Sequence, residues 1–133
     1  KVEMIKISFD FDNCLELLNI QKLAKKLLAN RYEVWIVTSR FEPLTRLNYP
    51  DLKDNSDIYS LAHKLGIKPY RIAYTNQHPK WVALNQSSIK IHIDDDKKEI
   101  NGLEYYGLVK GFDCNSENLE ESLFEYIEAI ENF

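Results

Sequence analysis

The chain has 133 residues and a formal net charge of −4. This length suits a single domain, residues 1–133, with a hydrophobic core of its own. A net negative charge disfavours nonspecific binding to the phosphate backbone of nucleic acids, and no apolar run reaches the length of a membrane span. We therefore expect neither a membrane partner nor a stable complex with nucleic acid.

The N-terminal residues and the cysteines indicate a cellular compartment. The first residues have the pattern of a strand and lack the pattern of a signal peptide. Cys14 and Cys114 are far apart in the sequence and lack the spacing of metal ligands. Reduced thiols are typical of cytosolic proteins, so we expect a cytoplasmic protein.

The first half of the chain contains two strong secondary-structure signals and one long gap. An apolar strand pattern covers residues 4–9, and apolar residues at helical spacing predict a helix over 20–28. Residues 33–38 are apolar on both faces, which is typical of a central parallel strand. Residues 39–54 form a long predicted loop, and loops of that length in compact domains are often functional.

The second half continues the alternation of strands and helices. The predicted elements are a helix over 58–65, a strand over 71–74, a helix over 80–84, strands over 88–93 and 104–109, and a closing helix over 119–130. Strands that alternate with helices predict an α/β fold, here a three-layer, doubly wound sandwich with a five-stranded parallel sheet. Right-handed crossovers place helices on both faces of such a sheet.

Two carboxylates follow the first strand directly. Asp10 and Asp12 are one residue apart, so their charges repel each other, and partial burial makes each charge more costly. A divalent cation removes that repulsion, and oxygen ligands suit Mg²⁺. The alternative is a pair of solvated aspartates that open a loop.

Other chemically competent side chains follow the later strands. In doubly wound sheets the ligand lies at the carboxyl ends of the strands. Each of these residues also has a structural explanation when taken alone: a threonine that ends a strand, a surface lysine, or acids that cap a helix. Together they predict one site, formed by Asp10, Asp12, Thr38, Ser39, Lys80, Asp94, Asp95, Asp96 and Glu99.

The order of these residues resembles the haloacid dehalogenase-like phosphohydrolases over nearly the whole chain. The segment Asp10-Phe11-Asp12-Asn13-Cys14 resembles the first motif of that family, Asp-x-Asp-x-Thr/Val, with cysteine in the last place. Residues 34–38 resemble the second motif, an apolar strand that ends in Thr or Ser. Lys80 has the position of the third-motif lysine, and residues 91–95 resemble the fourth motif, an apolar strand that ends in an acidic pair.

This resemblance implies a Rossmannoid fold and a Mg²⁺-dependent phosphatase that works through an aspartyl-phosphate. Asp10 would be the nucleophile, and Asp12 would protonate the leaving oxygen and then accept a proton from water. Thr38 would hydrogen-bond a phosphoryl oxygen. Lys80 would offset the negative charge and orient Asp10.

The implied magnesium ligands are an Asp10 oxygen, the main-chain carbonyl of Asp12 and the Asp95 side chain. The run of three acids leaves the register of the fourth motif ambiguous, and we favour Asp95 as the direct ligand with Asp94 as its neighbour in the acidic pair. Glu99 would hold either a metal-bound water or Lys80.

The substrate is less well defined than the reaction. Members of the family often carry a cap domain after the first or second motif, and neither interval of this chain has room for one. An open site, with Ser39, Arg40 and Arg46 on the adjoining loop to bind the phosphorylated substrate, resembles nucleotidases and nucleic-acid 3′-phosphatases of the superfamily. We therefore favour a nucleotide or a nucleic-acid end among phosphomonoesters.

Three other functions remain open at this point. A phosphoacceptor receiver domain has the same fold class and a similar set of residues, but its acceptor aspartate follows the third strand, where this chain has Tyr74-Thr75-Asn76. A metal-dependent nuclease could use the same acids. A noncatalytic binding module could keep the fold. The oligomeric state is not predicted.

Overall fold

A central parallel sheet organises the protein. The computed structural model describes residues 4–52 and 54–132, so residues 1–3, 53 and 133 of the predicted domain lie outside it. Five parallel strands lie in the order β3-β2-β1-β4-β5. They are β1 (Lys6–Phe9), β2 (Glu33–Thr38), β3 (Ile72–Tyr74), β4 (Ile91–Asp94) and β5 (Lys110–Asp113). The predicted five-stranded parallel α/β fold is confirmed at this level.

Helices flank the sheet on both sides. They are α1 (Leu18–Ala29), α2 (Pro43–Arg46), α3 (Ser56–Leu65), α4 (Lys80–Asn85), α5 (Lys97–Tyr106) and α6 (Leu119–Glu131). One apolar cluster contains buried residues of α1, α3 and α6, and a second contains residues of α4 and α5. None of the helices in the described part of the chain has the length and apolar character needed to cross a bilayer.

Strand β2 shows why the sheet is covered on both faces. Successive side chains of a strand point to opposite faces. Val34 and Ile36 belong to the first apolar cluster, whereas Trp35 and Val37 pack in the second. This is the arrangement predicted from its continuous apolar run.

Strands β1 and β4 differ from β2 because one of their faces is polar. Ile7, Phe9, Ile91 and Ile93 join the first apolar cluster, while Ser8, His92 and Asp94 are buried without belonging to either cluster. The chain leaves β1 toward β2 on one side and reaches β4 on the other, so the order of strands reverses between β1 and β4. A crevice forms at such a switch point, at the carboxyl ends of the strands.

The predicted strand over 104–109 is wrong. Residues 97–106 form helix α5, which begins after Asp96 and ends at Gly107. The Asp96 side chain accepts a hydrogen bond from the Lys98 amide, and Gly107 adopts a left-handed conformation with φ of 71° that favours glycine. The fifth strand therefore begins only at Lys110, and the exposed Tyr105 and Tyr106 that suggested a strand lie on a helix.

The predicted loop over 39–54 contains one short helix. Pro43 begins α2, as its fixed backbone angle allows, and the helix ends after one turn at Arg46. The remaining boundaries differ from the predicted ones by a few residues, as is usual where helix and strand ends fray.

Candidate active site

A polar cleft of about 690 Å³ opens at the carboxyl ends of β1 and β4. Its lining combines acids, lysines and amides from the first loop, the segment before α4 and the start of α5. The lining residues are Asp10, Asp12, Asn13, Ser39, Gln77, His78, Pro79, Lys80, Asp94, Asp95, Asp96, Lys97, Lys98 and Glu99. Three smaller and more apolar openings of the surface do not contain this combination of charges within the described residues.

The floor of the cleft is a buried cation between two carboxylates. Lys80 is 3% exposed, and its Nζ atom donates hydrogen bonds to Asp10 Oδ1 at 2.6 Å and to Asp94 Oδ2 at 2.7 Å. Lys80 is the first residue of α4, and its backbone amide donates to both carboxylate oxygens of Glu99 at 3.2 Å. The sequence left two roles open for Glu99, and the observed contact is with Lys80.

Burial and charge displace the pKa values of this group in different directions. Burial raises the pKa of Asp10 to about 8, with Asp94 adding to the rise and Lys80 opposing it. Burial alone would raise the pKa of Asp94 too, but His92 and Lys80 together hold it well below its usual range. Burial alone would lower the pKa of Lys80, whereas the two carboxylates raise it above its ordinary value. Lys80 is therefore charged near neutral pH.

Asp95 lies beside this buried group. Carboxylate oxygens of Asp10, Asp94 and Asp95 approach within 4.8 Å of one another, and the side chains of Asp10 and Asp95 are within hydrogen-bond reach. Both oxygens of Asp94 already accept hydrogen bonds, Oδ2 from Lys80 and Oδ1 from the Asp96 amide at 3.0 Å. Asp10 and Asp95 are therefore the better placed of the three for an additional cation.

Asp12 lies at the rim and pairs with an arginine. Arg40 donates to both of its oxygens, from Nη2 to Oδ1 at 2.6 Å and from Nε to Oδ2 at 3.1 Å. The same guanidinium binds Asp57 of α3 through two more hydrogen bonds, at 2.6 and 2.8 Å. Asp57 and Asp12 raise the pKa of Arg40 above its already high value. Arg40 thus contacts protein carboxylates at the position where the sequence predicted a contact to substrate.

The other predicted residues occupy less direct positions. Thr38 is fully buried, and its Oγ1 accepts a hydrogen bond from the Arg40 amide at 3.3 Å. Ser39 lines the cleft, while its carbonyl accepts from the Gln77 amide at 2.7 Å. Arg46 donates from Nη2 to the carbonyl of Leu52 at 3.1 Å and lines a small neighbouring cavity with Arg40.

The backbone after β1 explains how Asp10 and Asp12 come to point in different directions. The Asp10 amide donates to the carbonyl of Ile93 at 2.8 Å, which fixes it to β4. The chain then makes a wide helical turn over Phe11–Leu15, interrupted by an extended Asp12 and by Asn13 with φ of 58°. The left-handed region is tolerated by asparagine more readily than by most residues.

Cys14 and Cys114 meet behind this turn, although they lie a hundred residues apart in the chain. Both are free and buried, and their side chains are in hydrogen-bond contact. The Cys14 thiol also faces the carbonyl of Ile93 at 3.6 Å, and the Cys114 thiol faces the carbonyl of Asn13 at 3.6 Å. They pack behind the turn over Phe11–Leu15 and are not among the residues that line the cleft.

Sequence reasoning assigns no role to Ser8 and Asp57, and it interprets His92, a possible proton shuttle by residue type, as incidental on an alternating strand. His92 and Asp94 are two residues apart on a strand and so share a face, a signal that the sequence does contain. Ser8 and Asp57 gave no such signal, because their partners depend on which strands and helices become neighbours. His78 lines the cleft, as the loop position before Lys80 allows.

Comparisons of the chain with protein-family models, with curated proteins and with solved structures gave no match.

Proposed function

We propose that this protein is a Mg²⁺-dependent phosphatase of the haloacid dehalogenase-like superfamily, without a cap domain, that hydrolyses phosphomonoesters through an aspartyl-phosphate. The main support is the buried group at the cleft floor, in which Lys80 Nζ lies 2.6 Å from Asp10 and 2.7 Å from Asp94. A buried ion pair of this kind is often costlier than an apolar replacement. Its position at the switch point of the sheet therefore favours a chemical role over a structural one.

The donor set fits a magnesium ion. Asp10, Asp94 and Asp95 provide hard carboxylate oxygens within 4.8 Å of one another, and Lys80 offsets only one of their charges. Burial raises the pKa of Asp10 to about 8, and Asp94 adds to the rise, so this carboxylate favours a proton or a cation beside it. Asp10, Asp95 and the Asp12 carbonyl would hold the ion, with Asp94 beside them. Bound there, Mg²⁺ would supply charge stabilisation for the transferred phosphoryl group.

Asp10 is placed to act as the nucleophile. It lies at the cleft floor, 5% exposed, and Lys80 holds one of its oxygens, so the carboxylate is oriented before a substrate arrives. Attack of a carboxylate on a phosphate ester brings like charges together. The Lys80 ammonium, which is itself buried at the cleft floor, offsets that repulsion.

Asp12 would donate a proton to the leaving oxygen and later accept one from the attacking water. Its side chain lines the cleft and is 43% exposed, so a substrate oxygen can reach it. In the observed arrangement Arg40 binds both Asp12 oxygens. Proton transfer through Asp12 thus requires at least one of these hydrogen bonds to open when substrate binds.

The test is phosphate release by the wild type and by Asp10→Asn, with Mg²⁺ or with EDTA. The substrates are a generic aryl phosphate, nucleoside 5′- and 3′-monophosphates, a 3′-phosphorylated oligonucleotide, sugar phosphates and a phosphopeptide. Asp51→Asn, the same change at an exposed residue, is the matched control. We expect metal-dependent release that Asp10→Asn abolishes and Asp51→Asn leaves intact.

Other outcomes would replace the proposal. Release that survives in Asp10→Asn would exclude the aspartyl-phosphate. Cleavage of phosphodiesters without monoester hydrolysis would indicate a nuclease. A folded wild type with no activity on any of these substrates and no Mg²⁺ affinity in a calorimetric titration would indicate a binding module.

A further inference from the structure

A chain of buried hydrogen bonds runs beneath the cleft floor. The register of the parallel strands β1 and β4 places Ser8 beside His92. Ser8 Oγ lies 2.7 Å from His92 Nδ1, and His92 Nε2 lies 2.7 Å from Asp94 Oδ2. All three residues are 0% exposed, so the protein itself must satisfy their polar atoms.

The chemistry of the partners fixes the direction of these hydrogen bonds. An ionised carboxylate only accepts, so His92 donates its Nε2 hydrogen to Asp94. The neutral ring then has an acceptor at Nδ1, which takes the hydroxyl hydrogen of Ser8. Burial lowers the pKa of His92 below its ordinary value, which is consistent with a neutral ring. The carbonyl of Ile91, 3.4 Å from Ser8 Oγ, is the poorer acceptor.

This arrangement restricts how Asp94 can be oriented. Its Oδ2 accepts from both His92 and Lys80, and its Oδ1 accepts from the Asp96 amide. The carboxylate is thus held on both oxygens, and Lys80 Nζ is directed between Asp94 and Asp10. Movement of the imidazole would release Asp94 and, with it, the position of the ammonium at the cleft floor.

We propose that Ser8 and His92 are positioning residues: Ser8 orients the imidazole through Nδ1, and His92 thereby holds Asp94, Lys80 and the Asp10 carboxylate in the geometry for phosphoryl transfer. This inference rests on the proposed function. Neither residue is among those that line the cleft in the described structure, so both act through Asp94. Partners that orient the residues of a catalytic or metal centre typically change activity by about 10- to 100-fold when removed.

The test compares Ser8→Ala with Ser60→Ala, the same change at an exposed helical position. Ser8→Ala removes one hydroxyl and no charge, so the protein is expected to fold. We expect kcat to fall about tenfold while KM stays within about twofold, because the displaced ammonium acts on the transferring group more than on substrate binding. Ser60→Ala should match the wild type.

Replacement of His92 tests the donor directly. His92→Gln keeps an N–H group that can reach Asp94, whereas His92→Leu leaves a buried carboxylate without that donor. We expect His92→Gln to retain about tenfold more activity than His92→Leu. Should His92→Leu not fold, Ser8→Ala and His92→Gln still decide the question.

A measurement independent of turnover follows the tautomer itself. ¹⁵N chemical shifts of the imidazole should identify Nε2 as the protonated nitrogen of wild-type His92, and Ser8→Ala should move the Nδ1 shift toward that of an imidazole nitrogen that accepts no hydrogen bond. A kcat for Ser8→Ala within about twofold of the wild type would overturn the inference, and so would a wild-type ring protonated at Nδ1. If the wild type shows no Asp10-dependent phosphate release, the proposed function fails, whereas the nitrogen shifts report on the hydrogen bonds alone.

Discussion

Two cations of this protein each bind two carboxylates, yet they lie in opposite environments. Lys80 joins Asp10 to Asp94 at the cleft floor, with its side chain 4% exposed and those of its partners 6% and 0%. Arg40 joins Asp12 to Asp57 at the rim, where the two carboxylates are 43% and 29% exposed. The shortest contact in each group is 2.6 Å.

The comparison shows that solvent, more than distance, decides what such a pair does. Water screens the rim charges, and the pair there behaves as a surface ion pair of good geometry. At the floor the charges are removed from water, so each depends on its partners and loss of any one leaves the others uncompensated. The buried ion pairs of Lys80 at the floor therefore suit catalysis. The more exposed ion pairs of Arg40 at the rim can open and re-form.

The largest expected effect is that of Lys80→Met. It leaves two buried carboxylates without their cation, so the free energy of unfolding should fall by about 3–5 kcal/mol. Urea denaturation at about pH 9, above the Asp10 pKa of about 8, measures the loss. Lys98→Met, at an exposed residue of the cleft margin, should change stability by less than about 0.5 kcal/mol. A loss from Lys80→Met as small as that of the control would mean that the floor is as well solvated as the rim.

The second-largest expected effect is a pH dependence of the free energy of unfolding, which arises from Asp10 at the cleft floor. The folded pKa of Asp10 is about 8, above its ordinary value of 3.8, so the folded state binds more protons between these values. Stability therefore falls as pH rises through this interval. Between pH 7 and pH 8 the expected fall in EDTA is about 1 kcal/mol.

Asp10→Asn is the control for that pH effect. The variant should show almost no fall between pH 7 and pH 8, because the amide does not titrate. Mg²⁺ should also flatten the wild-type curve, since a bound cation favours the ionised carboxylate. An equal fall in Asp10→Asn would assign the titration to another group.

The central sheet could be predicted because the residues that identify each strand are neighbours in the sequence. Apolar runs such as residues 33–38 identify buried strands, and the carboxyl-end rule then groups Asp10, Lys80 and Asp94 without knowledge of their contacts. The structure does bring these three side chains together. The error over 104–109 arose because two tyrosines and a valine have strand propensity, whereas the cap at Asp96 and the stop at Gly107 decide for a helix.

The partners of the site could not be predicted because they depend on tertiary register. Ser8 and His92 are 84 positions apart, and only the pairing of β1 with β4 makes them neighbours. Asp57 reaches Arg40 because α3 packs beside the loop after β2. A shift of one residue in the pairing of β1 with β4 would turn Ser8 away from His92.

At the rim, Arg40→Gln tests the ion pairs that Arg40 makes with Asp12 and Asp57. Its guanidinium is 12% exposed but binds carboxylates that are 43% and 29% exposed, so the loss should be about 1 kcal/mol and should shrink in high salt. A double-mutant cycle with Asp57→Asn isolates the pair from the hydrogen bond that Asp57 accepts from the Ile58 amide. A coupling energy that is insensitive to salt would place this pair with the buried one.

The smallest effect is expected where the distance is shortest. Lys26 Nζ and Glu120 Oε2 are 2.5 Å apart, closer than either pair of the candidate site, but their side chains are 54% and 51% exposed. Lys26→Gln in α1 keeps a good helix former and should change the free energy of unfolding by less than about 0.5 kcal/mol, measured by urea denaturation. Because the contacts of Lys26, Arg40 and Lys80 differ by about 0.1 Å in length, ranking the three variants tests whether contact length determines their contribution to stability. A loss from Lys26→Gln as large as that from Lys80→Met would show that contact length, and not burial, sets the strength of these ion pairs.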